Sequence, residues 1–531
     1  MGTQIKSKNS SRWFLNILIL FFCVSQLHSQ IFRLLSPSLS DSTVEYSGLA
    51  SNGITAIVSQ GQNILWFATG RGLSKTEDFG ETFKSYLPAT GGLPKGGISA
   101  IDVRDSVIWI AAVFDSSLLQ GELQTGGGLA YSKDYGKSWH FVSQPIDENT
   151  DTVSDWYGNR VRFLPVTTPI MNTTWDISIS DRWVYITSWA GGLRRTADWG
   201  KTWERVPLPS DDEEFLECGP VDYVIDPRDP PLGNHNHKGF SVLTYGDTIW
   251  VGTAGGINLG IVNEEGCISW RRITAQNGGI SGNWVVDIER QVYNGKTIIW
   301  AATLPAEGPN EYRALSKTED GGLTWTTTLE GPWCYNIVAS DSIVYACTDE
   351  GLYKSIDGEN WAKFGYIVDT EKNEAIFSEK VYAALVDKRE NPPALWVGTG
   401  DGLAKTNDDG TTWNIMRAFQ PAKKNGKMRI YAYPNPFAPN FHNRIGDEGH
   451  VRIQYFLEKP SNVQLEVFNF AMELVYKGDN HFIATAGDHS ESWNGKDNNG
   501  NPVANGVYFC RLNIKTGVQN SYYWTKVIVI K

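Results

Sequence analysis

The chain has 531 residues, too many for one small domain. At roughly 150 residues per domain the expectation is three or so, with a barrel or propeller counting as one. Charged residues make up 20% and hydrophobic ones 41%, which excludes a disordered chain and a helical coiled coil. A formal net charge of −12 without a basic tract argues against nucleic acid as a partner. The 21 tryptophans stand out: a side chain this large, used so often, points to a repeated structural purpose.

The first residues read as a secretory signal peptide, 1–29. Lys6, Lys8 and Arg12 precede an apolar run from Trp13 to Val24, which is too short to span a bilayer. Ser29 or Ser25 supplies the small residue for cleavage. Cys23 follows Phe21-Phe22 and does not form a lipoprotein cleavage site. Residues 30–47 form an N-terminal segment. No later stretch reaches ~18 apolar residues, so no transmembrane segment is expected in the mature chain.

From residue 48 a short pattern recurs. It reads Thr76-Glu-Asp78-Phe-Gly80-Glu-Thr82-Phe83 and returns around Asp134, Asp198, Asp320 and Asp408. A copy one residue short surrounds Asp357, and a decayed copy ends at Trp270. Asp and Ser/Thr side chains bond nearby backbone N–H groups, and glycine supplies a permissive turn position. Each copy therefore reads as a hairpin turn with an aromatic anchor, not as an active site. Three short strands precede each turn, and the second carries an aromatic at the same place: Trp66, Trp109, Tyr185, Trp250, Trp300, Tyr345 and Trp396. Four short strands repeated seven times predict an all-β fold with a seven-bladed β-propeller over 48–420. Trp139, Trp203, Trp270, Trp325, Trp361 and Trp413 close the turns, so these six and the five second-strand tryptophans account for 11 of the 21 as blade architecture.

The turn pattern resembles the Asp-box (BNR) repeat of bacterial sialidases, sortilin-like receptors, some cellulose- and xyloglucan-degrading propellers and photosystem-assembly-factor-like propellers. The resemblance implies the propeller fold over most of 48–420. It implies no single activity, because those relatives differ in what they do.

Strand alternation places the Asp turns on one rim and directs the second-to-third turns and the blade-to-blade connections to the other. The long insertions 114–127, 144–172, 207–238, 305–312 and 365–378 all fall in the second class, so a ligand-binding face is expected on the rim opposite the Asp turns. Its candidate residues are Trp156, Tyr157, Arg160, Arg162, Asp226 and Arg228, with Trp156 foremost. The run Asp211-Asp212-Glu213-Glu214 reads as a solvated loop. Asp226, Arg228 and Asp229 adjoin the stiff Pro230-Pro231. His235 and His237 read either as a metal pair or as two solvent-facing histidines. With no third ligand evident, no metal or other cofactor is expected.

Enzymatic features are weak. A retaining glycosidase needs a positioned carboxylate pair, or a tyrosine nucleophile in sialidases. Glu307, Glu311 and Asp226 do not define such a pair. Phe32-Arg33-Leu34-Leu35 partly matches the sialidase arginine motif, but lacks its proline and precedes the first blade. No Ser-His-Asp grouping, phosphate loop or zinc spacing appears. The expected role is non-enzymatic binding of an extracellular glycan or protein. A sialidase-like or β-glucan-degrading glycoside hydrolase is the alternative, and a photosystem-assembly-factor-like propeller the third.

Five cysteines follow the signal peptide: Cys218, Cys267, Cys334, Cys347 and Cys510. They are too few and too odd in number for a disulfide scaffold. Pairing Ala339 with Ser342 in a hairpin sets Cys334 opposite Cys347, which leaves a disulfide or two buried thiols open there.

After Gln420 a polar linker, 421–428, leads into alternating strands over 429–531, which suit an Ig-like sandwich. Tyr433-Pro-Asn-Pro-Phe437, Trp493-Asn-Gly495-Lys-Asp497, Pro502-Val-Ala-Asn-Gly506-Val-Tyr-Phe509 and the ending Lys526 to Lys531 resemble the FlgD-like Ig domain shared by the flagellar hook-capping protein and many cargoes of the type 9 secretion system. The resemblance implies a sorting or anchoring domain, the type 9 secretion machinery as partner, and secretion or display on the outer-membrane surface of a Gram-negative bacterium. Asn494 replaces the family's Asp, and Met472 stands where it often has Gly. The turn Asp497-Asn-Asn-Gly500-Asn501 reads as a hairpin turn, since it lacks the acidic ligands of a calcium loop.

Overall fold

A computed structural model of the chain describes residues 46–88, 92–118, 121–157, 159–219, 224–228, 233–418, 422–424 and 427–531. The expected signal peptide and all but the end of the 30–47 segment lie outside the described residues, as do Asp229, Pro230 and Pro231. The chain packs as two compact units divided after Gly331. Five blades fall in the first unit; two blades and the C-terminal sandwich fall in the second.

Each repeat folds as an antiparallel meander of four strands, and among the described residues there are seven. The first blade comprises Ile54–Gln60, Ile64–Thr69, Gly72–Thr76 and Lys84–Tyr86, with Tyr46–Ser47 added outside the fourth strand. The first strands of the other six are Gly97–Arg104, Thr174–Ile179, Gly239–Tyr245, Trp284–Tyr293, Cys334–Ser340 and Val381–Asp387. All seven first strands carry a register irregularity within their first few residues, the signature of a repeated bulge. The molecule is an all-β seven-bladed propeller followed by an Ig-like sandwich.

The recurring Asp builds its turn in the same way each time. In the second blade Asp134 accepts from Ser138 N–H at 2.9 Å, Ser138 Oγ–H at 2.6 Å and Ser132 Oγ–H at 2.8 Å. Gly136 N–H in turn donates to Ser132 Oγ. Asp78, Asp198, Asp320 and Asp408 repeat this set. Asp357, in the short copy, bonds Ser355 and Asn360 instead. The hydrogen bonds from Ser138, Thr324 and Thr412 hold Asp134, Asp320 and Asp408 at about 2, so the turns keep their charge in all but strong acid.

Within each unit, turns also tie a blade to the one before. The closing tryptophan meets the second-strand tryptophan of the preceding blade edge to face: Trp139 on Trp66 at 6.1 Å, Trp203 on Trp109 at 6.2 Å and Trp325 on Trp250 at 6.1 Å. Such pairs add about 0.5–1.5 kcal/mol beyond area burial. Trp270 of the decayed copy joins Tyr185 in one buried cluster, and in the second unit Phe364 bridges Tyr345 and Trp413. The inner strands are stitched as well. Asp102 accepts from Ile179 N–H of the third blade, and Asp176 from Val242 N–H of the fourth. Burial pushes Asp102 up to about 7.

The structure decides between the two readings left open for the cysteines. Cys334 and Cys347 are buried thiols, not a disulfide. The hairpin turns at Asp341-Ser342, so Ser340 pairs with Ile343, and a bulge then sets Cys334 opposite Thr348 and Cys347 opposite Asn336. The disulfide joins Cys218, in the connection before the fourth blade, to Cys267 in that blade's last turn, with Cα atoms 6.1 Å apart.

The C-terminal sandwich packs a sheet of Tyr431–Tyr433, Val451–Leu457 and Gly487–Trp493 on one built around Ser461–Phe468, Gly506–Thr516 and Gln519–Val529. Phe437, Tyr455, Leu465, Trp493 and Leu512 fill its core. Met472 adopts φ +63°, the left-handed backbone that glycine takes without strain. Asp497 accepts from Asn499 and Asn501 N–H, making the expected hairpin turn.

Two glycines separate the turn from the tie. Gly136 (φ +75°) and Gly321 (φ +72°) share a backbone conformation, but a Cβ on Gly136 would lie 2.3 Å from Trp66 Cη2, whereas one on Gly321 meets nothing within 4 Å. Gly321→Ala is expected to cost about 1–2 kcal/mol and Gly136→Ala about 3 kcal/mol or more, measured by urea unfolding; equal losses would remove the interblade contact from the account. Cys218→Ser opens a loop closed over a sequence separation of 49. It is expected to cost up to about 4 kcal/mol in the chain-entropy treatment, read as a melting shift that reductant reproduces in the wild type and not in the variant.

Candidate functional site

The expected site residues do not form one exposed face. Residues Val153–Trp156 and Asn159–Phe163 make a hairpin, and Val224–Ile225 of the next connection adds to it in parallel. This small sheet runs back along the propeller instead of standing on the rim where its chain begins. Trp156 is only 3% exposed and packs with Tyr185, Leu193 and Trp270. It covers the guanidinium of fully buried Arg195 at 4.7 Å, with Trp183 at 4.0 Å from the same group. Tyr157 Oη meets Arg195 Nη2 at 2.6 Å, while Arg195 also donates to Glu204 and to Gly266 O. Glu204 opens the third blade's fourth strand directly after its Asp turn, and Gly266 lies in the third-to-fourth strand turn of the fourth blade, so the hairpin tip reaches the Asp-turn rim. Trp156 and Tyr157 are thus structural, contrary to expectation. Asp226 is buried and holds Arg228 in a two-oxygen ion pair at 2.8–2.9 Å. Arg160 and Arg162 are exposed, as is the Arg228 side chain at 57% despite its pairing with Asp226.

Buried charge fixes the bases of these connections. Asp147 accepts from Arg194 at 2.9 Å and from Arg205 at 2.6 Å, with all three side chains under 10% exposed. Arg205 reaches Gly191 O and lies 3.2 Å from His237 Nε2. His237 is therefore buried rather than solvent-facing. Burial, with Arg205 and Arg194 adding to it, holds its imidazole well below its ordinary range. The acidic run also has a job: Asp211 accepts from His235 and Asn236 N–H and caps the helical turn His235–His237. Asn236 then bonds Asn258 and Thr253 of the fourth blade.

The rim opposite the Asp turns carries a different group. Trp175, Phe240 and Trp284 begin the first strands of the third, fourth and fifth blades, and Trp189 follows the third blade's second strand. The Phe240 ring lies 5.3 Å from Trp284, 5.5 Å from Trp189 and 6.4 Å from Trp175. All four are half-buried, and the ammonium of buried Lys238 sits 4.9 Å over Trp189. Sequence reasoning missed this cluster because its members are distant in the chain. Its one local signal is an aromatic near the start of three successive first strands. In the second unit a cavity of about 230 Å³ opens between the sixth and seventh blades, floored by Leu352, Phe364, Ile376 and Trp413 and edged by Glu350 and Glu379.

The candidate acids are engaged in structure. Glu311 accepts from Asn283, Ala306 and Gly308 N–H at 2.7–2.9 Å and clamps the 305–312 loop. Glu307 faces His235 at 3.5 Å. Among the described residues no group of three or more His, Cys, Asp or Glu could hold a metal ion.

Since folded His237 resists protonation, the unfolded chain takes up a proton near its ordinary 6.5 that the native state refuses. Stability from this site is therefore present above about pH 6.5 and declines as pH falls below it. His237→Gln is expected to flatten the loss of unfolding midpoint between pH 7 and 5; an unchanged slope would assign that loss elsewhere.

The family of the FlgD Ig-like domain matches residues 442–517. No curated protein matches the chain. Among solved structures it is similar to PorZ, a bacterial surface component of the type-IX secretion system of Porphyromonas gingivalis, at 15% identity and TM-score 0.41, over 88% of this chain and 64% of PorZ. It is also similar to a GH74 enzyme of Niastella koreensis at 10% and 0.46, over 89% and 66%. YCF48 from Cyanidioschyzon merolae matches at 16% and 0.34, over 67% and 92%. The chain thus spans just under two thirds of PorZ and of the GH74 enzyme. At these identities and TM-scores the likenesses carry no shared activity. The C-terminal domain is where sequence family and observed fold meet: the match lies within the two-sheet sandwich.

Proposed function

We propose that the protein is an exported propeller of the Asp-box type that binds an extracellular glycan or protein without catalysis, and that its C-terminal domain serves export or anchoring. The observation that supports binding is the half-buried cluster of Trp175, Trp189, Phe240 and Trp284 on the rim opposite the Asp turns. Aromatic faces of this kind stack on sugar rings and on apolar side chains at little entropic cost. The ion pairs around Asp147 hold the neighbouring connections rigid, which lowers the cost of ordering on binding. The Cys218–Cys267 disulfide supports an oxidising compartment, in keeping with the expected signal peptide. The hydrogen bonding of Glu311 and Asp226 supports a structural use of those carboxylates over general acid catalysis.

Glycan and peptide arrays probed with the mature chain test this reading. Trp189→Ala and Trp284→Ala are expected to lower binding of the captured ligand by tenfold or more. Trp156→Ala is expected to cost about 3–5 kcal/mol of stability with binding per folded molecule kept. Turnover of sialosides or β-glucans, lost on mutating one rim carboxylate, would overturn the non-catalytic reading. Unchanged extracellular delivery after deletion of 429–531 in the native host would overturn the export role.

A further inference from the structure

The seventh blade and the C-terminal sandwich meet through charges that are buried. Arg452, in the strand Val451–Leu457, has a side chain 8% exposed and donates to Asp401 Oδ2 at 2.6 Å and to Ala375 O at 2.7 Å. Asp401 lies in the second-to-third turn of the seventh blade, and its carboxylate also accepts from Phe377 N–H at 2.7 Å. Arg417, from the end of that blade, bonds Asp401 O at 2.8 Å and pairs with Glu374. The sandwich thus inserts a cation into an acidic pair of the blade that Arg417 alone only partly balances. Aromatic contact reinforces it. Phe377 stacks on His450 at 4.1 Å and 5°, and the Arg452 guanidinium lies 4.3 Å from the Phe377 ring. Around the edge, Gly446 N–H donates to Glu379 at 3.0 Å, and Asn373 bonds His481 at 2.9 Å.

We propose that the C-terminal domain is latched non-covalently on the seventh blade, so that the two stay together when the chain between them is cut. A tethered domain without buried contacts would move freely. Here separation exposes Arg452 and Asp401 unpaired, and breaking a buried pair costs far more than breaking a surface one. The latch also bears on the rim. Glu374 to Glu379, which the sandwich grips, belong to the connection that supplies Ile376, Ser378 and Glu379 to the cavity between the sixth and seventh blades. The sandwich therefore fixes one wall of that cavity. This inference does not rest on the binding role proposed for the aromatic cluster.

The test uses the full mature chain with a specific-protease sequence inserted between Gln420 and Pro421. After cleavage the wild-type protein is expected to elute as one species at the uncut volume. Arg452→Met is expected to raise the dissociation constant of the cut pair about 100-fold or more and so to separate the fragments on dilution. Phe377→Ala is expected to weaken it in the same direction while leaving every charge in place. Thermal melts of the uncut variants establish that both domains are folded before cutting. Separation of the cut wild type would overturn the latch. Retention of wild-type affinity by both variants would overturn its assignment to Arg452 and Phe377.

Discussion

The contact on which the propeller depends is the seat of one blade's Asp turn on the second-strand aromatic of the blade before it. A seven-residue turn held by its own Asp and hydroxyl side chains presents a left-handed glycine and a closing tryptophan at a fixed spacing. The second-strand tryptophan beneath is almost fully buried and cannot shift without disturbing two sheets. The hydrogen bonds are local and the packing is not, and the turn couples the two. Within each unit this coupling recurs between successive blades, where the sheet edge is covered by the next repeat instead of remaining open to pairing with other chains. Where the turn has decayed, between the third and fourth blades, the fold compensates. Arg195 lies under Trp156, Trp183 and Tyr157, and a disulfide closes the adjoining connection.

Long connections in this protein are mostly used as structure. The described residues of the 144–172 and 207–238 connections fold onto the third and fourth blades, and buried Asp147, Arg194, Arg205 and His237 pin their bases. Such buried charges need complete pairing, and removal of one partner strands the others. On the rim opposite the Asp turns the first unit presents four aromatic rings at the inner strands, and in the second unit a cavity is walled in part by the 365–378 connection. The same solution, an arginine buried against a paired aspartate, holds the C-terminal domain on the last blade. Buried ion pairs are thus the device by which this all-β chain fastens what its repeats do not specify.

Residues whose structural role is local were legible. Asp78, Asp134, Asp198, Asp320, Asp357 and Asp408 bond groups within four residues of themselves, so the one-dimensional pattern contains the whole interaction. The seven second-strand aromatics were legible because strand period and turn spacing repeat. The sandwich was legible from alternation and from its proline and tryptophan motifs. The register around Cys334 and Cys347 was misread because a single bulge and a turn placed one residue later change which residues oppose each other. Trp156 was misread because its burial follows from a hairpin that folds back onto another blade, which loop position alone does not encode. The rim cluster was missed because residues 175, 189, 240 and 284 meet only when three strands begin side by side.

By itself the sequence determined the repeat, its number, the strand order within each blade and the class of the last domain. Those are set by hydrogen bonds and periodicities spanning a few residues. Only the tertiary structure decided which tryptophans are covered, which cysteines join, where the long connections run and how the sandwich is seated. Those outcomes depend on contacts between residues tens of positions apart, whose energies come from burial and charge pairing that exist only once the blades have packed.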